Sequence, residues 1–162
     1  MVLAYVDEAG FAQAHPNRAA WTPVGERHLI EAGRGKRLNV MAAMLSSGEL
    51  FSVKYWKTAT SAVFVNFIEL LKKGIEKPMT IILDNASIHK ANAIQPALEL
   101  LKKQGVTLYF LPPYSPELNR IERLWHLMKH TWMSVKCRKP QALEEDVGDI
   151  LTNFGTKLKF QF

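Results

Sequence analysis

The sequence predicts a mixed α/β domain in which helices cover both faces of one five-stranded sheet. Three observations lead to this fold class. The 162 residues, of which 48% are hydrophobic, are enough for one sizeable core. The apolar patterns run in the order strand, strand, strand, helix, strand, helix, strand, helix, helix. The middle of that order contains a strand, helix, strand unit, which is typical of a parallel crossover.

The first three predicted strands lie in the amino-terminal third. Residues 2–6 form a short apolar run that ends at Asp7, and we expect this strand to be central and buried. Residues 11–35 contain two prolines and three glycines, which indicates an irregular loop. Residues 38–45 and 50–55 then read as a hairpin around the turn at 46–48.

Helices and strands alternate in the next part of the chain. Apolar residues recur at helical spacing over 63–71, with Thr60 or Ser61 as cap and Gly74 just beyond the end. A strand over 79–83, a helix over 93–101 and a strand over 106–111 follow. These segments form the crossover unit.

The last predicted elements are two helices. An apolar stripe over 121–135 predicts one long helix. Its start has two possible positions: Ser115 is the cap and Pro116 the first helical residue, or Asn119 is the cap and Glu122 closes a capping box. A final helix is predicted over 142–154. Residues 157–162 alternate like a strand, without an assigned place in the sheet.

Composition narrows the class of protein. The chain has 21 Lys and Arg against 15 Asp and Glu, a net charge of +6, which suits a polyanionic partner. A single cysteine excludes an internal disulfide and a cysteine-based zinc site. Since no apolar run reaches the roughly 20 residues needed to span a bilayer, we expect a soluble, cytoplasmic protein without a membrane partner.

Two carboxylates follow predicted strands. Asp7 and Asp84 each come directly after an apolar run, and the carboxyl ends of neighbouring parallel strands meet at one edge of a sheet. Two close carboxylates repel unless a positive charge lies between them, and Mg²⁺ is commonly bound by one or two carboxylates together with phosphate oxygens. The alternative is that each Asp simply begins a turn.

Glu122 is the third candidate. It lies in the first turns of the predicted 121–135 helix, on a face shared with Leu118, Trp125, His126 and Lys129. The alternative is an ordinary glutamate at a helix start, favoured there by the helix dipole. The neighbouring acids Glu8 and Glu117 rank behind these three, since strand alternation turns Glu8 away from Asp7.

Three segments together resemble one family. Val-Asp-Glu-Ala-Gly-Phe at 6–11, Leu-Asp-Asn-Ala-Ser-Ile-His at 83–89 and Leu-Pro-Pro-Tyr-Ser-Pro-Glu-Leu-Asn-Arg-Ile-Glu-Arg-Leu-Trp at 111–125 are similar to signatures of the DDE endonuclease domain of mariner-like bacterial insertion-sequence transposases. The resemblance implies a ribonuclease-H-like fold and metal-dependent DNA cleavage and strand transfer. It assigns Asp7, Asp84 and Glu122 as catalytic acids that bind two Mg²⁺ or Mn²⁺ ions, with Asp84 as the bridging ligand. It also implies transposon ends and target DNA as partners and a homodimer.

Two departures from the family keep alternatives open. Arg120 stands where the family usually has proline. Family members usually carry helix-turn-helix domains before the first catalytic strand, whereas here residues 1–162 are expected to be a single catalytic domain, which is an excised domain, a split-frame product or a degraded copy. A separate DNA-binding subunit would then be needed. The competing functions are an inactive remnant that binds DNA or dimerises, and a ribonuclease-H-like nuclease of another specificity.

Several side chains are candidates for DNA contact. His89 is expected either to contact DNA or a metal-bound water, or to bond a neighbouring carbonyl group. Trp125 and Trp132 are expected in the core rather than stacked on bases. The basic candidates form two groups that either track phosphates or are solvated faces: Arg34, Lys36 and Arg37; and Lys129, His130, Lys136, Arg138 and Lys139.

Overall fold

One mixed sheet organises the chain in the computed structural model, which describes residues 1–14, 21–27, 29 and 35–158. Its strands are β1 (Val2–Ala12), β2 (Arg37–Leu45), β3 (Leu50–Tyr55), β4 (Met79–Leu83) and β5 (Val106–Phe110), in the spatial order β3-β2-β1-β4-β5. β1 pairs in parallel with β4, and β4 with β5, whereas β1, β2 and β3 are antiparallel. The predicted five-stranded mixed sheet and the central position of β1 are confirmed.

β1 is longer than the sequence indicated. It does not end at Asp7 but continues to Ala12, because β2 pairs with it as far as Ala12 opposite Arg37. The parallel pairing with β4 stops much earlier, at Tyr5 opposite Ile82. Asp7 therefore lies inside a strand, but just beyond the end of the parallel part of the sheet.

Four α-helices cover the sheet in the described residues: α1 (Ser61–Lys73), α2 (Gln95–Lys103), α3 (Ile121–Leu127) and α4 (Pro140–Asn153). Thr60 caps α1 by accepting the Val63 N–H at 3.3 Å, and Gly74 ends it, as predicted. Two short 3₁₀ turns, Ser87–His89 and Asn92–Ile94, precede α2. No helix of the described part is both long enough and apolar enough to cross a membrane.

The two faces of the sheet carry separate cores. On one face, Ala4, Val6 and Ile81 pack with Phe64 and Phe67 of α1. On the other face, an apolar set from β1 and β2 packs against α3 and α4, and its members are Ala9, Phe11, Leu38, Val40, Ile121, Leu124, Trp125, Met128, Leu143 and Val147. Helices on both faces are thus confirmed. Asp7 shares the strand face of Ala9 and Phe11, so it points to the side that α3 covers.

α3 begins at neither predicted position. Ser115 precedes a 3₁₀ turn, Pro116–Leu118, and makes no side-chain cap bond, while Asn119 directs its side chain to β1 instead. α3 starts at Ile121, with Arg120 in the cap position. The predicted continuous helix to Val135 is also wrong, since α3 passes into a π-helical turn, Met128–Trp132, closed by a bond from the Met133 N–H to the Met128 carbonyl oxygen.

The carboxyl-terminal helix is close to its prediction. Pro140 lies in the first turn of α4, where proline is well tolerated. Beyond α4, Leu158 forms a single bridge with Phe154. The rest of the strand predicted over 157–162 lies outside the described residues.

Candidate active site

The sheet register brings Asp7 and Asp84 to the same edge. Tyr5 lies opposite Ile82 at the end of the parallel pairing of β1 and β4. Asp7 and Asp84 each follow two residues later, and a step of two residues keeps a side chain on the same strand face. The sequence expectation that these two acids lie side by side agrees with this register.

α3 adds Glu122 from above that edge. Asp7, Asp84 and Glu122 all line one cavity of about 380 Å³, together with Asn85, Asn119 and the proline-rich loop 111–116. Leu111 donates its N–H to the Leu83 carbonyl oxygen at 2.9 Å, and Asn85 Nδ2 donates to the Leu111 carbonyl oxygen, so the loop is anchored beside Asp84. The structure therefore brings the three predicted acids into one cavity, and their catalytic role stays a prediction.

Asp7 is the acid whose ionisation the fold changes most. Burial raises the pKa of Asp7 to about 7, and the negative charges of Glu122 and Asp84 act in the same direction. Trp125 Nε1 donates a 3.0 Å hydrogen bond to Asp7 Oδ2 and partly opposes the shift. Without a cation in the cavity, Asp7 thus holds a proton up to near-neutral pH.

Asp84 is more exposed and is held by its own chain. Its Oδ1 accepts the Ala86 N–H at 3.0 Å and lies 3.1 Å from His89 Nδ1. Burial lowers the pKa of His89, so we treat this contact as a hydrogen bond from a neutral imidazole and not as an ion pair. Two acceptors near Nδ1, Oδ1 and the Asp84 carbonyl oxygen at 3.3 Å, place the ring proton on that nitrogen.

Of the roles predicted for His89, direct contact with DNA does not fit its burial, whereas contact with a metal-bound water stays a prediction. His89 is 5% exposed and packs against the Phe64 ring at 4.5 Å, so a nucleic acid cannot reach its ring without local opening. The neighbouring carbonyl bond, another predicted role, is the one observed. His89 acts by positioning Asp84.

Asn119 connects α3, which carries Glu122, to β1, which carries Asp7. Its Nδ2 donates to the Val6 carbonyl oxygen at 3.1 Å, which fixes the start of α3 against β1 one residue before Asp7. Its Oδ1 is buried in the wall of the cavity and has no hydrogen-bond partner in the described part of the chain. A buried acceptor without a partner is unusual and indicates that water or a bound ion completes this wall.

The sequence interpretation missed Asn119 and Trp125 as parts of the site. Trp125 was expected in the core, and it is buried there, but its ring N–H also bonds Asp7. A signal for this existed, since Trp125 lies three residues after Glu122 and therefore on the same helix face. The bond of Asn119 to β1 spans 113 residues and leaves no local signal in the sequence.

The donor set fits a hard divalent cation, although no ready cage is present. Three carboxylates and one amide oxygen are the ligands that Mg²⁺ and Mn²⁺ prefer. Among the described residues, however, no three His, Cys, Asp or Glu side chains are gathered closely enough to hold an ion. Mg²⁺ needs only one or two carboxylates when waters and phosphate oxygens complete its shell, so these acids do not have to form a complete cage by themselves.

Basic side chains extend from the cavity towards β2. Lys129 is half-buried over the Phe11 ring, and its pKa is lowered by burial and by the charge of Arg37, while Glu122 and Asp7 raise it. Lys36 and Arg37 are exposed and line a second cavity, of about 510 Å³, with Lys57 and Asn39. The predicted phosphate contacts of Lys36, Arg37 and Lys129 stay a prediction.

The second predicted basic group is only partly available. Arg138 is 4% exposed, and its guanidinium bonds Asp146 at 2.6 Å and the Ser134 and Lys136 carbonyl oxygens, so its predicted phosphate contact is wrong. Lys136 is exposed and pairs with Asp146 at 3.5 Å, and Lys139 is exposed. Arg34 lies outside the described residues.

The model of one protein family matches residues 2–144 of the chain, and that family is described as the DDE superfamily endonucleases. The chain belongs to the DDE superfamily endonucleases. The matched range contains all three predicted acids and the two sheet elements that carry Asp7 and Asp84.

Two bacterial relatives are similar in sequence to this DDE endonuclease. The insertion element IS630 uncharacterized 39 kDa protein of Shigella sonnei is 28% identical over 130 residues, which cover 78% of the chain and 37% of that protein. The uncharacterized protein y4pE/y4sA of Sinorhizobium fredii (strain NBRC 101917 / NGR234) is 38% identical over 73 residues, 45% of each chain. The DDE endonuclease thus spans less than half the length of these relatives.

Solved structures share the fold. The Mos1 strand transfer complex superimposes with a TM-score of 0.71 and 20% identity, over 96% of this chain and 48% of the Mos1 chain. The catalytic core domain of BIV integrase gives a TM-score of 0.57 and 15% identity, over 98% and 86%. The ribonuclease-H-like fold of transposase and integrase catalytic domains, expected from the resemblance, is confirmed.

Proposed function

We propose that this DDE endonuclease domain cleaves DNA strands and transfers them to target DNA, with Asp7, Asp84 and Glu122 as the ligands of two Mg²⁺ or Mn²⁺ ions. One observation carries the proposal: the three acids come from β1, the end of β4 and α3, and all line one cavity. The raised pKa of Asp7 supports it, because burial, together with the charges of Glu122 and Asp84, disfavours the ionised carboxylate, and a cation in the cavity would offset that cost.

The residues around the cavity prepare it for phosphoryl transfer. Two bound divalent cations would supply activation of a water or a 3′-hydroxyl and stabilisation of the leaving oxygen. Trp125 fixes one oxygen of Asp7, and the Ala86 N–H with His89 fixes one oxygen of Asp84. Asp7 must lose its proton before both oxygens can act as ligands, so the site favours deprotonation only when positive charge enters it.

A basic path supports DNA as the substrate. Lys129 is close enough to Glu122, Asp7 and Arg37 for their charges to change its pKa. The Arg37 guanidinium crosses β1 at Gly10, where a side chain would collide with it, and continues to the cavity lined by Lys36 and Lys57. Lys129 lies on the face of β1 that carries Asp7, whereas Arg37, Lys36 and Lys57 line the second cavity together with Glu8 and Gly10 of the opposite face. Cations on both faces at this end of the sheet suit a phosphate backbone that runs along its rim.

Arg120 gives little support to the inactive-remnant alternative. Its φ of −55° is the value that proline imposes, and Asn119 before it is extended at φ −94° and ψ 101°, as a residue before proline must be. The backbone thus keeps the geometry of the family motif, and α3 still presents Glu122. The replacement of proline does not by itself disturb the site.

The wider assembly is proposed by analogy. Mos1 is described in a paired-end complex with a transposon end, and in complexes with Mn and with Mg. We infer that the present domain, residues 1–162 acting as one unit, works on transposon ends as a homodimer in the cytoplasm, with DNA recognition supplied by a further segment or a separate subunit.

A plasmid-nicking assay tests the proposed chemistry. Supercoiled plasmid DNA incubated with the chain and Mn²⁺ or Mg²⁺ is expected to convert to open circles, and Asp84→Asn is expected to lower the rate at least a hundredfold. Glu117→Gln is the matched control, since it removes an exposed acid from the same loop region that does not line the cavity. Full activity in Asp84→Asn would overturn the assignment. Preferential cleavage of an RNA–DNA hybrid would favour the other nuclease specificity.

A further inference from the structure

We propose that Tyr114 is a stacking platform for a nucleobase next to the scissile phosphate. This inference rests on the proposed DNA cleavage and adds a residue that positions the substrate. Tyr114 lies at the rim of the cavity that the three acids line, in the loop between β5 and α3. Its side chain is fully exposed to solvent, with a relative accessible surface of 101%.

The backbone at Tyr114 is unusual. Its φ is +57°, and it is the one non-glycine residue with a positive φ in the described ranges. The four other positive-φ positions there are glycines: Gly25, Gly48, Gly105 and Gly155. A left-handed conformation is sterically unfavourable for a residue with a Cβ, and aromatic residues adopt it rarely. At the turns away from the cavity, the residue with positive φ is glycine, which has no Cβ and is therefore not strained.

The fold gains no burial from the tyrosine in return. A side chain that is completely exposed removes no apolar surface from water, so folding stability does not account for an aromatic residue here. Strained positions of this kind persist when surrounding structure enforces them, and they cluster at functional sites. Pro112, Pro113 and Pro116 enforce the loop, because each fixes its own φ.

The loop is also fixed at both ends. Asn85 and the Leu83 carbonyl oxygen hold Leu111 to the strand edge, and Asn119 holds the far end to β1. A ring carried by such a loop stays beside the acids without needing to be ordered by the substrate. Since the acids receive a phosphodiester, the base of the flanking nucleotide comes to the rim where Tyr114 lies.

An exposed aromatic face suits this role chemically. Every nucleobase can stack on it, and each such contact contributes about 5- to 150-fold in affinity when tested by truncation. In a single-stranded end or an opened duplex, the base beside the cleaved phosphate lacks a stacking neighbour on one side, and an aromatic ring at the rim replaces that contact.

Photo-crosslinking tests the proposal without relying on activity. A DNA duplex with a single-stranded 3′ extension carries 5-iodouracil at successive positions, and irradiation links it to an aromatic ring on which the base is stacked. We expect a cross-link at Tyr114, located by mass spectrometry, and none at Tyr109, the matched tyrosine that is 58% exposed on β5 away from the cavity. A cross-link absent from Tyr114 in protein that binds the DNA would overturn the proposal.

Variants separate the ring from its hydroxyl and from the backbone strain. Tyr114→Phe is expected to keep DNA affinity within about twofold, whereas Tyr114→Leu and Tyr114→Gly lower it about tenfold. Glycine tolerates the positive φ without strain, and an unchanged thermal melting temperature of Tyr114→Gly checks that the loop still folds. Equal loss in Tyr114→Phe and Tyr114→Leu would show a hydroxyl contact and overturn stacking, as would unchanged affinity in all three.

The outcomes also separate this proposal from the one on which it rests. A protein that cross-links at Tyr114 but does not nick plasmid DNA would contradict the cleavage and support the stacking. If the unchanged chain does not cross-link at Tyr114 and Tyr114→Leu nicks DNA as fast as the unchanged chain, the result would support the cleavage and contradict the stacking. Absence of any DNA binding would overturn both.

Discussion

The charge of Asp7 links the site to folding stability. Its pKa is about 7 in the folded chain against 3.8 as the ordinary value. Between these two values the folded chain holds a proton that the unfolded chain has released, so stability falls as pH rises through this range. The contribution is fully present below about pH 4 and is lost above about pH 7, as expected for an acid whose pKa is raised.

Replacing this acid is therefore expected to stabilise the protein at alkaline pH. Asp7→Asn keeps an oxygen that can accept the Trp125 N–H and removes the charge. In metal-free buffer at pH 8, its free energy of unfolding should exceed that of the unchanged chain by up to about 4 kcal/mol, since one pKa unit corresponds to about 1.4 kcal/mol. At pH 4 the two should be nearly equal. Urea denaturation at both pH values measures the difference.

Glu117→Gln is the control for that comparison, because it removes an exposed acid outside the cavity. We expect it to change stability little at either pH. If Asp7→Asn and the unchanged chain lose stability in parallel between pH 4 and pH 8, burial does not hold the proton on Asp7. The electrostatic account of the site would then be wrong.

Asn119 gives a second prediction for a single residue. Asn119→Ala removes the hydrogen bond to the Val6 carbonyl oxygen and leaves that oxygen without this donor, so the free energy of unfolding should fall by about 1–3 kcal/mol. DNA nicking should fall as well, because the start of α3 is no longer fixed beside Asp7. Thermal denaturation and the plasmid assay measure both effects. Glu117→Gln, which removes an exposed acid that does not line the cavity, should do neither. Equal stability of Asn119→Ala and the unchanged chain would contradict the role.

At the scale of elements, local patterns predicted some elements well and others poorly. The hairpin of β2 and β3 and helix α1 agree with their predictions to within about one residue at the strand ends, because a turn, a cap and an apolar period mark them. The end of β1 was misplaced because Glu8 and Gly10 look like a turn. Ladder pairing with β2, which no local pattern reports, keeps them in the strand.

The start of α3 depended on a similar long-range contact. Asn119 is a good cap by type, but it bonds β1 instead, and Arg120 takes the cap position with proline-like φ. Arg120→Pro keeps this backbone but removes the guanidinium that lies 5.5 Å from the Tyr5 ring centroid. We therefore expect it to fold, with a free energy of unfolding lower by about 1 kcal/mol and unchanged nicking. Loss of more than about 3 kcal/mol would show that the Arg120 N–H or side chain is needed for this helix start.

The connection before α4 makes a further prediction, since Arg138 is structural. Its guanidinium bonds Asp146, and its backbone exchanges two bonds with Gln13, from the Arg138 N–H at 2.9 Å and from Gln13 Nε2 at 3.0 Å. Asp146→Asn leaves a buried guanidinium without its counterion and should lower the free energy of unfolding by about 1–3 kcal/mol, less than for a fully buried pair because Asp146 is partly exposed. Asp149→Asn, on the same helix, is the control.

The Arg138–Asp146 pair also makes the free energy of unfolding depend on pH in the acidic range. The hydrogen bond from Arg138 is the main cause that lowers the pKa of Asp146. An acid with a lowered pKa contributes stability above its unfolded value, and that stability is lost as pH falls through the folded value. The free energy of unfolding of Asp146→Asn should therefore fall less steeply than that of the unchanged chain as the pH is lowered through the acidic range. An identical pH profile would contradict the pairing.

The sequence predicted the site residues that local patterns mark, and it missed the hydrogen bonds that depend on residues far apart in the chain. Asp7, Asp84 and Glu122 could be proposed because each follows a recognisable strand or helix start. The bonds that hold them come from Trp125, His89 and Asn119, and whether a His or Asn bonds an acid, a carbonyl group or a ligand depends on three-dimensional packing. Burial of Arg138 likewise separates it from Lys136 and Lys139, which look the same in the sequence.

At the scale of the whole molecule, the net charge of +6 and the path from Lys129 to Lys57 predict salt-sensitive DNA binding. The double variant Lys36→Gln with Arg37→Gln should weaken binding and lower the slope of log K against log salt by about 2, one for each phosphate contact removed. Lys102→Gln with Lys103→Gln removes the same charge from the end of α2, away from both cavities. Fluorescence anisotropy at several salt concentrations compares them, and equal slopes would contradict the path.

The most direct test of the central claim is the location of bound metal. Crystals of the chain with a short DNA duplex and Mn²⁺, measured at the manganese absorption edge, would show each ion as an anomalous peak. We expect one or two peaks within about 2–2.5 Å of carboxylate oxygens of Asp7, Asp84 or Glu122, and loss of a peak in crystals of Asp84→Asn. Fully ordered carboxylates with no manganese between them, or manganese bound elsewhere while DNA is still cut, would contradict it.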